Sequence, residues 1–300
     1  MKRSLLIHAA ELVTPKGGGA LKGPEMENVA RIKDGAVYSE DGIIKAVGET
    51  GEVLKYLDGG EYKDPVDIMN AAGKCVIPGF VDSHTHFVFG GYRPDEFMGR
   101  LRGDEYIKSL KKGGGILETV RATEKESEEQ LFAEGLSRLR AMLSQGVTTV
   151  EGKSGYGLDE ATELKQLEVL KRLGQSQKVE VLGTYLGAHA IPEAYKGKAD
   201  AYVDFMIEKM LPDIKNKNLA EFCDVFCEDH VFSVAQSERL LKAAKALGFK
   251  LKIHADEIVS LGGAELAART GALSADHLLM VSQEGVSELS KSQTVATLLP

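Results

Sequence analysis

Two rhythms of apolar residues divide the chain near residue 78. Up to that point apolar positions come in short runs of strand length, at 4–8, 36–39, 43–47, 66–69 and 74–77. Asp41-Gly42 is a hairpin turn signal, because both residues tolerate the positive φ that a tight turn needs. Ala71-Ala72-Gly73 separates the last pair of runs, and the Gly-rich stretch from Lys16 to Pro24 reads as a surface loop. Residues 1–77 are therefore expected to form a small β-sandwich-like module.

From residue 78 the rhythm becomes strand, loop, helix. Apolar strands are predicted at 79–84, 147–151, 179–185, 224–228, 250–254, 272–276 and 294–299. Ser127 caps a helix that turns Leu131, Leu136, Leu139 and Leu143 to one face and stops at Gly146. Asp159 caps the next, with Leu164, Leu167 and Leu170 inward and Gly174 at its close. Ser233 caps a third, carrying Leu240, Leu241, Ala244 and Leu247 before Gly248. Residues 200–211 and 262–270 are also helical in pattern. Strands that alternate with helices pair in parallel through right-handed crossovers. Seven of them predict an α/β chain whose residues 78–300 form a (β/α)8 TIM barrel lacking its last strand. A doubly wound nucleotide-binding sheet is disfavoured, since no Gly-rich phosphate turn follows the first of these strands.

Composition changes this picture little. With 43% hydrophobic and 27% charged residues over 300 positions, the chain can bury a core without disulfide staples. Its three cysteines point to a reducing compartment. Cys223 and Cys227 read as small buried hydrophobes, because no second pair exists to complete a metal site. A net charge of -8 argues against a nucleic-acid partner, which requires a basic face. The N-terminal apolar run is interrupted by His8 and Glu11, unlike a signal peptide, and no stretch has transmembrane length. A cytoplasmic protein without a membrane partner is expected.

In barrels of this kind chemistry sits at the C-terminal ends of the strands. The first predicted strand runs into Pro78-Gly79-Phe80-Val81-Asp82-Ser83-His84-Thr85-His86. His84 and His86 are two residues apart, so both imidazoles point to one face. His254 ends the fifth strand. Three neutral nitrogen ligands at strand ends, with coordination positions left for water, make the pattern of a catalytic metal site.

The Pro-Gly-Phe-Val-Asp-x-His-Thr-His block resembles the first strand of amidohydrolase-superfamily barrels. Further blocks narrow the resemblance to the imidazolonepropionase family: Phe89-Gly90-Gly91-Tyr92-Arg93, Gly113-Gly114-Gly115-Ile116, Lys153-Ser154-Gly155-Tyr156-Gly157, Leu186-Gly187-Ala188-His189-Ala190, Asp224-Val225-Phe226-Cys227-Glu228, His254-Ala255-Asp256-Glu257 and Ser274-Ala275-Asp276-His277. The match extends from about Pro78 to Pro300. It implies hydrolytic ring opening of 4-imidazolone-5-propanoate to N-formimidoyl-L-glutamate, with one zinc or iron ion held by His84, His86 and His254. It also implies substrate contacts from Arg93, Tyr156, His189 and Glu257, and a homodimer. Tyr106 is a weaker substrate-binding candidate. Glu257 and His277 are the catalytic candidates, one to carry a proton and the other to orient water. His8 and His230 fall outside the pattern, and Lys153 receives no role. Cys227-Glu228 offers no lysine to bridge two metals, which favours one ion.

The resemblance further implies an eighth strand ending in Thr-Asp-x-Asn-Pro-Gly, whose Asp would be a fourth metal ligand and the proton acceptor. That motif is not present through Pro300. The expectation is a fragment of a longer gene product, impaired by itself. The alternatives are another amidohydrolase, such as a nucleobase aminohydrolase, or a fragment without activity. Arg93 and the Lys-Ser-Gly-Tyr-Gly loop favour a carboxylate-bearing imidazolone over a nucleobase.

Overall fold

The computed structural model describes residues 2–58, 66–102 and 115–299. The chain divides into two compact units, Met1–Gly79 and Phe80–Pro300. The first unit is a five-stranded sheet built from β1 (Arg3–Pro15), β2 (Val29–Glu40), β3 (Ile43–Glu49), β4 (Asp67–Asn70) and β5 (Cys75–Val76). Its order is β3-β2-β1-β4, with β5 also on β1. Helix α1 (Thr50–Asp58) follows β3. β1 continues seven residues past the run at 4–8 that its apolar pattern predicts. His8 adopts φ 60°, and the register against β2 shifts between Leu6 and Ala9. That irregularity breaks the period-2 alternation, so the apolar pattern stops where the strand does not.

The second unit is a parallel sheet of seven strands in sequence order: β6 (Phe80–Thr85), β7 (Val147–Lys153), β8 (Glu180–Ala188), β9 (Phe222–Cys227), β10 (Lys250–Ala255), β11 (Ser274–His277) and β12 (Val295–Thr297). It is a nearly closed barrel, with β6 and β12 as its two ends. The connecting helices are α2 (Pro94–Leu101), α3 (Ile116–Lys125), α4 (Glu128–Ser144), α5 (Glu160–Ser176), α6 (Ala199–Phe205), α7 (Leu211–Lys217), α8 (Val234–Ala246), α9 (Gly263–Thr270) and α10 (Gln283–Lys291). A π-helical turn, Met206–Met210, joins α6 to α7 into one longer rod.

The predicted caps form. The Ser127 and Asp159 side chains accept from the backbone N–H of Gln130 and Thr162, and Ser233 with Gln236 makes a reciprocal capping box. Leu131, Leu139, Leu167, Leu170, Leu240, Leu241 and Ala244 are buried as their spacing predicts. Leu143 and Leu247 sit at helix ends and are exposed. Cys223 and Cys227 are buried free thiols in β9, as small core hydrophobes should be. Among the described residues no helix is long and apolar enough to cross a membrane.

Candidate metal centre and active site

Strand ends assemble the site. The His84 and His254 rings are 4.5 Å apart, His84 and His86 5.4 Å, and His86 and His254 5.5 Å. One ligand nitrogen from each lies within 4.8 Å of the others. Two of the three are oriented from behind. His84 Nδ1 donates to Asp276 Oδ2 at 2.6 Å, which leaves Nε2 as its ligand atom. His254 Nδ1 lies 3.0 Å from Asp224 Oδ2, a short electrostatic contact that departs from the line of a ring N–H. The Nε2 atoms of His86 and His254 then face each other at 3.4 Å. Two nitrogens on one tetrahedral ion, each about 2.05 Å from it, would stand about 3.3 Å apart. Three imidazole nitrogens within 4.8 Å of one another, two of them 3.4 Å apart, fit a zinc- or iron-sized ion.

The other candidate residues gather round this point. The His189 ring stacks on His86 at 4.8 Å, His277 meets His84 edge-on at 4.9 Å, and Tyr156 lies 5.3 Å from His189. Glu257 Oε2 is 3.7 Å from His277 Nε2. Arg93 stands further out, in a cleft of about 270 Å³ lined also by Phe89, Tyr92, Glu96 and Phe97. Phe89 links the two regions, with its ring 6.2 Å from Tyr156. Arg93 Nη1 donates to Glu96 Oε2 at 2.8 Å, which uses one of the five donors of its fork. Tyr106 lies outside the described residues. His8 pairs with Asp34 within the N-terminal unit, and His230 is exposed.

Burial sets the charge state. It holds the His86 imidazole well below its ordinary pKa, with the His189, His254 and His84 rings adding to the effect. Burial also keeps His254 well below, although Asp224 pulls the other way. His189 is pushed down to about 4 and His277 to about 4, each mainly by burial. All four rings are neutral at pH 7, the form that binds metal. His189 Nδ1 donates to the Gly155 carbonyl at 3.0 Å, because a carbonyl can only accept. A neutral His189 therefore offers Nε2 as an acceptor. This suits a substrate ring N–H, whereas polarising a carbonyl would need a donor there.

A stability consequence follows. Between pH 6.5 and 4 the unfolded chain binds a proton at His189 that the folded chain does not. Folding stability of the metal-free protein should therefore fall as pH drops through that window, by on the order of 3 kcal/mol for His189. Urea midpoints measured from pH 7 to pH 4 test this. Midpoints that stay level across the window contradict a neutral buried His189.

Sequence reasoning missed the groups that hold the site in place. Glu163 Oε1, on α5, accepts from the N–H groups of Gly155 (3.1 Å), Gly157 (2.8 Å) and Leu158 (2.9 Å). This pins the loop that carries Tyr156. Gly155 there has φ 104°, and a Cβ would come within 2.8 Å of the Leu186 carbonyl, so the loop accepts no side chain at this position. Glu228, at the end of β9, does the same for the Glu257 loop. Its carboxylate accepts from the N–H of Glu257 (3.1 Å), Ile258 (2.8 Å) and Val259 (3.2 Å). Glu228→Ala strips these donors of their acceptor and should cost about 1–3 kcal/mol. It should also lower turnover more than Glu228→Gln, which keeps one acceptor oxygen. Denaturant midpoints and steady-state kinetics on both variants check this; equal effects from Ala and Gln would remove the assigned role. Lys153, Glu151, Lys252, Asp224 and Asp276 were also missed. For Glu151, Lys153 and Lys252 a signal was present, since ionisable residues recur two apart on barrel strands, at Glu151/Lys153 and Lys252/His254.

A curated imidazolonepropionase from Phocaeicola vulgatus is 53% identical over the whole of this chain, which spans 71% of that protein. The chain belongs to the imidazolonepropionase family. The imidazolonepropionase of Clostridium tetani is 49% identical, again across 100% of the chain and 71% of its own length. No protein-family model matches. Among solved structures, a triazine hydrolase from Arthobacter aurescens has a TM-score of 0.71 at 12% identity, covering 100% of this chain and 65% of that one. An E. coli guanine deaminase has a TM-score of 0.65 at 14% identity, covering 100% and 67%. These two share the fold of this chain. The 49–53% relatives, and not the deaminase, decide the family.

Proposed function

We propose that this protein hydrolyses 4-imidazolone-5-propanoate to N-formimidoyl-L-glutamate, opening a cyclic amide C–N bond. The observation that carries the reading is the convergence of His84, His86 and His254 nitrogens in a chain 53% identical to an imidazolonepropionase. His84, His86 and His254 would hold one zinc or iron ion, which when bound lowers the pKa of water towards about 7 and so supplies hydroxide at neutral pH. The protein's own groups do the rest. Arg93 clamps the propanoate carboxylate with paired N–H donors, and Tyr156 donates to the same end of the substrate. His189 Nε2 accepts from a ring N–H. His277 orients the attacking oxygen, and Glu257, whose Oε2 is 3.7 Å from His277 Nε2, carries a proton from the attacking water to the departing ring nitrogen. The family resemblance makes the protein a homodimer, and its sparse cysteines and interrupted N-terminal apolar run make it cytoplasmic.

The test is loss of imidazolone absorbance with purified, metal-loaded protein, both as the 300-residue chain and with whatever its gene encodes downstream. Guanine serves as the competing substrate. Turnover of guanine and none of the imidazolone by either form sinks the reading. Arg93→Ala should weaken substrate binding by about 1.5–3 kcal/mol, the range for a hydrogen bond to a charged group, and leave metal content unchanged. Equilibrium binding of the substrate carboxylate beside metal analysis checks it. Loss of metal with affinity intact would remove the clamp.

A further inference from the structure

Behind the three histidines lies a second set of donors that could ligate a cation: His84, Glu151 and Asp276, with their ligand atoms within 4.8 Å of one another. This set already has cations. Lys153 Nζ donates to Glu151 Oε1 and Asp224 Oδ2, each at 2.7 Å, and lies 3.6 Å from Asp276 Oδ2. Lys252 Nζ donates to Glu151 Oε2 at 2.7 Å and to the Ser83 carbonyl at 2.8 Å, and lies 3.4 Å from Asp276 Oδ2. All five charged side chains are buried. Three carboxylates against two ammoniums leave a net charge of -1.

We propose that the Lys153 and Lys252 ammoniums are built-in cations filling the position of a second metal ion, so that the barrel binds one ion and not a pair. The proposal rests on the reading of His84, His86 and His254 as a metal site. Three points support it. Every carboxylate of the second set touches an ammonium, so an incoming ion would have to displace a covalently tethered charge. It would also sit within a few ångströms of both ammoniums, in a buried place where like charges repel strongly. Finally, Asp276 and Asp224 face the Nδ1 edges of His84 and His254. The lysine-filled cluster and the histidine site therefore lie on opposite edges of the same rings. Both ammoniums approach Asp276 through Oδ2, so Oδ2 is the oxygen a second ion would meet if a lysine were removed, while Oδ1 is buried without a hydrogen-bond partner among the described residues.

The test counts ions. Wild type, Lys153→Met, Lys252→Met and the double variant Lys153→Met/Glu151→Gln are saturated with Zn²⁺ or Mn²⁺, desalted and analysed for metal per chain, with thermal melting alongside. Wild type should hold one ion. Each single lysine variant raises the cluster to a net charge of -2 and should take up a second, or should gain melting temperature from cation beyond the first equivalent. The double variant restores the net charge of -1 and should return to one. Two ions in wild type would overturn the proposal, even if no lysine variant folds. So would one ion in folded single variants. Wild type that binds no ion would instead remove the histidine-site reading, and the proposal with it.

Discussion

His254→Ala is expected to strip the protein of its metal and to lower ring-opening turnover by at least roughly a thousandfold. Activation of water and of the carbonyl by a bound ion is worth several kcal/mol, and each 1.36 kcal/mol is tenfold in rate. His254 is buried and its Nε2 is 3.4 Å from that of His86, so its loss opens one corner of the three-nitrogen set. The two histidines left at the end of β6 cannot close that corner. The substitution leaves Asp224 paired with Lys153 at 2.7 Å, so the buried carboxylate keeps a counter-charge and the fold should persist. Metal analysis, circular dichroism and imidazolone absorbance on the same preparation separate the possibilities. A folded His254→Ala protein with full metal and full turnover would end the assignment of this residue as a ligand.

Glu257→Gln should lower kcat by about 10²–10⁴, the usual contribution of a positioned acid or base, while metal content and the fold stay as they are. The reasoning is geometric. Glu228 fixes the backbone of Glu257 through its N–H at 3.1 Å, and the carboxylate ends 3.7 Å from His277 Nε2. Glutamine keeps the shape and one acceptor oxygen but cannot take a proton. The change should therefore fall on kcat and spare most of the substrate affinity. A drop in affinity with kcat unaltered would make Glu257 a binding residue and hand the proton to another group.

Much of the barrel was legible because its inner strands, β7 to β11, are largely buried and read as apolar runs between capped helices. The histidine pair at the end of β6 was legible for a different reason, since a spacing of two on an extended segment fixes a common face. β1 was cut short because an irregularity at His8 shifts the register and scrambles the alternation. The buried charges escaped for a different reason. Lys153 or Asp224 taken singly looks like a surface residue, and only the stacking of β7, β9, β10 and β11 brings their charges together. Nothing local in sequence says that Glu163 or Glu228 will turn back to hold a loop, since each bonds to N–H groups that the fold delivers.

His277 and Leu278 both have left-handed backbones, with φ 79° and 60°, and His277 stands among the candidate catalytic groups. For side chains other than glycine such angles cost roughly 1–2 kcal/mol apiece. A glycine at either position would relax that strain, and at 277 it would also delete an imidazole from the site. Selection for heat resistance and selection for turnover thus pull residue 277 in opposite directions. In a lineage that no longer used the chemistry, this bend would be among the first places to drift towards glycine.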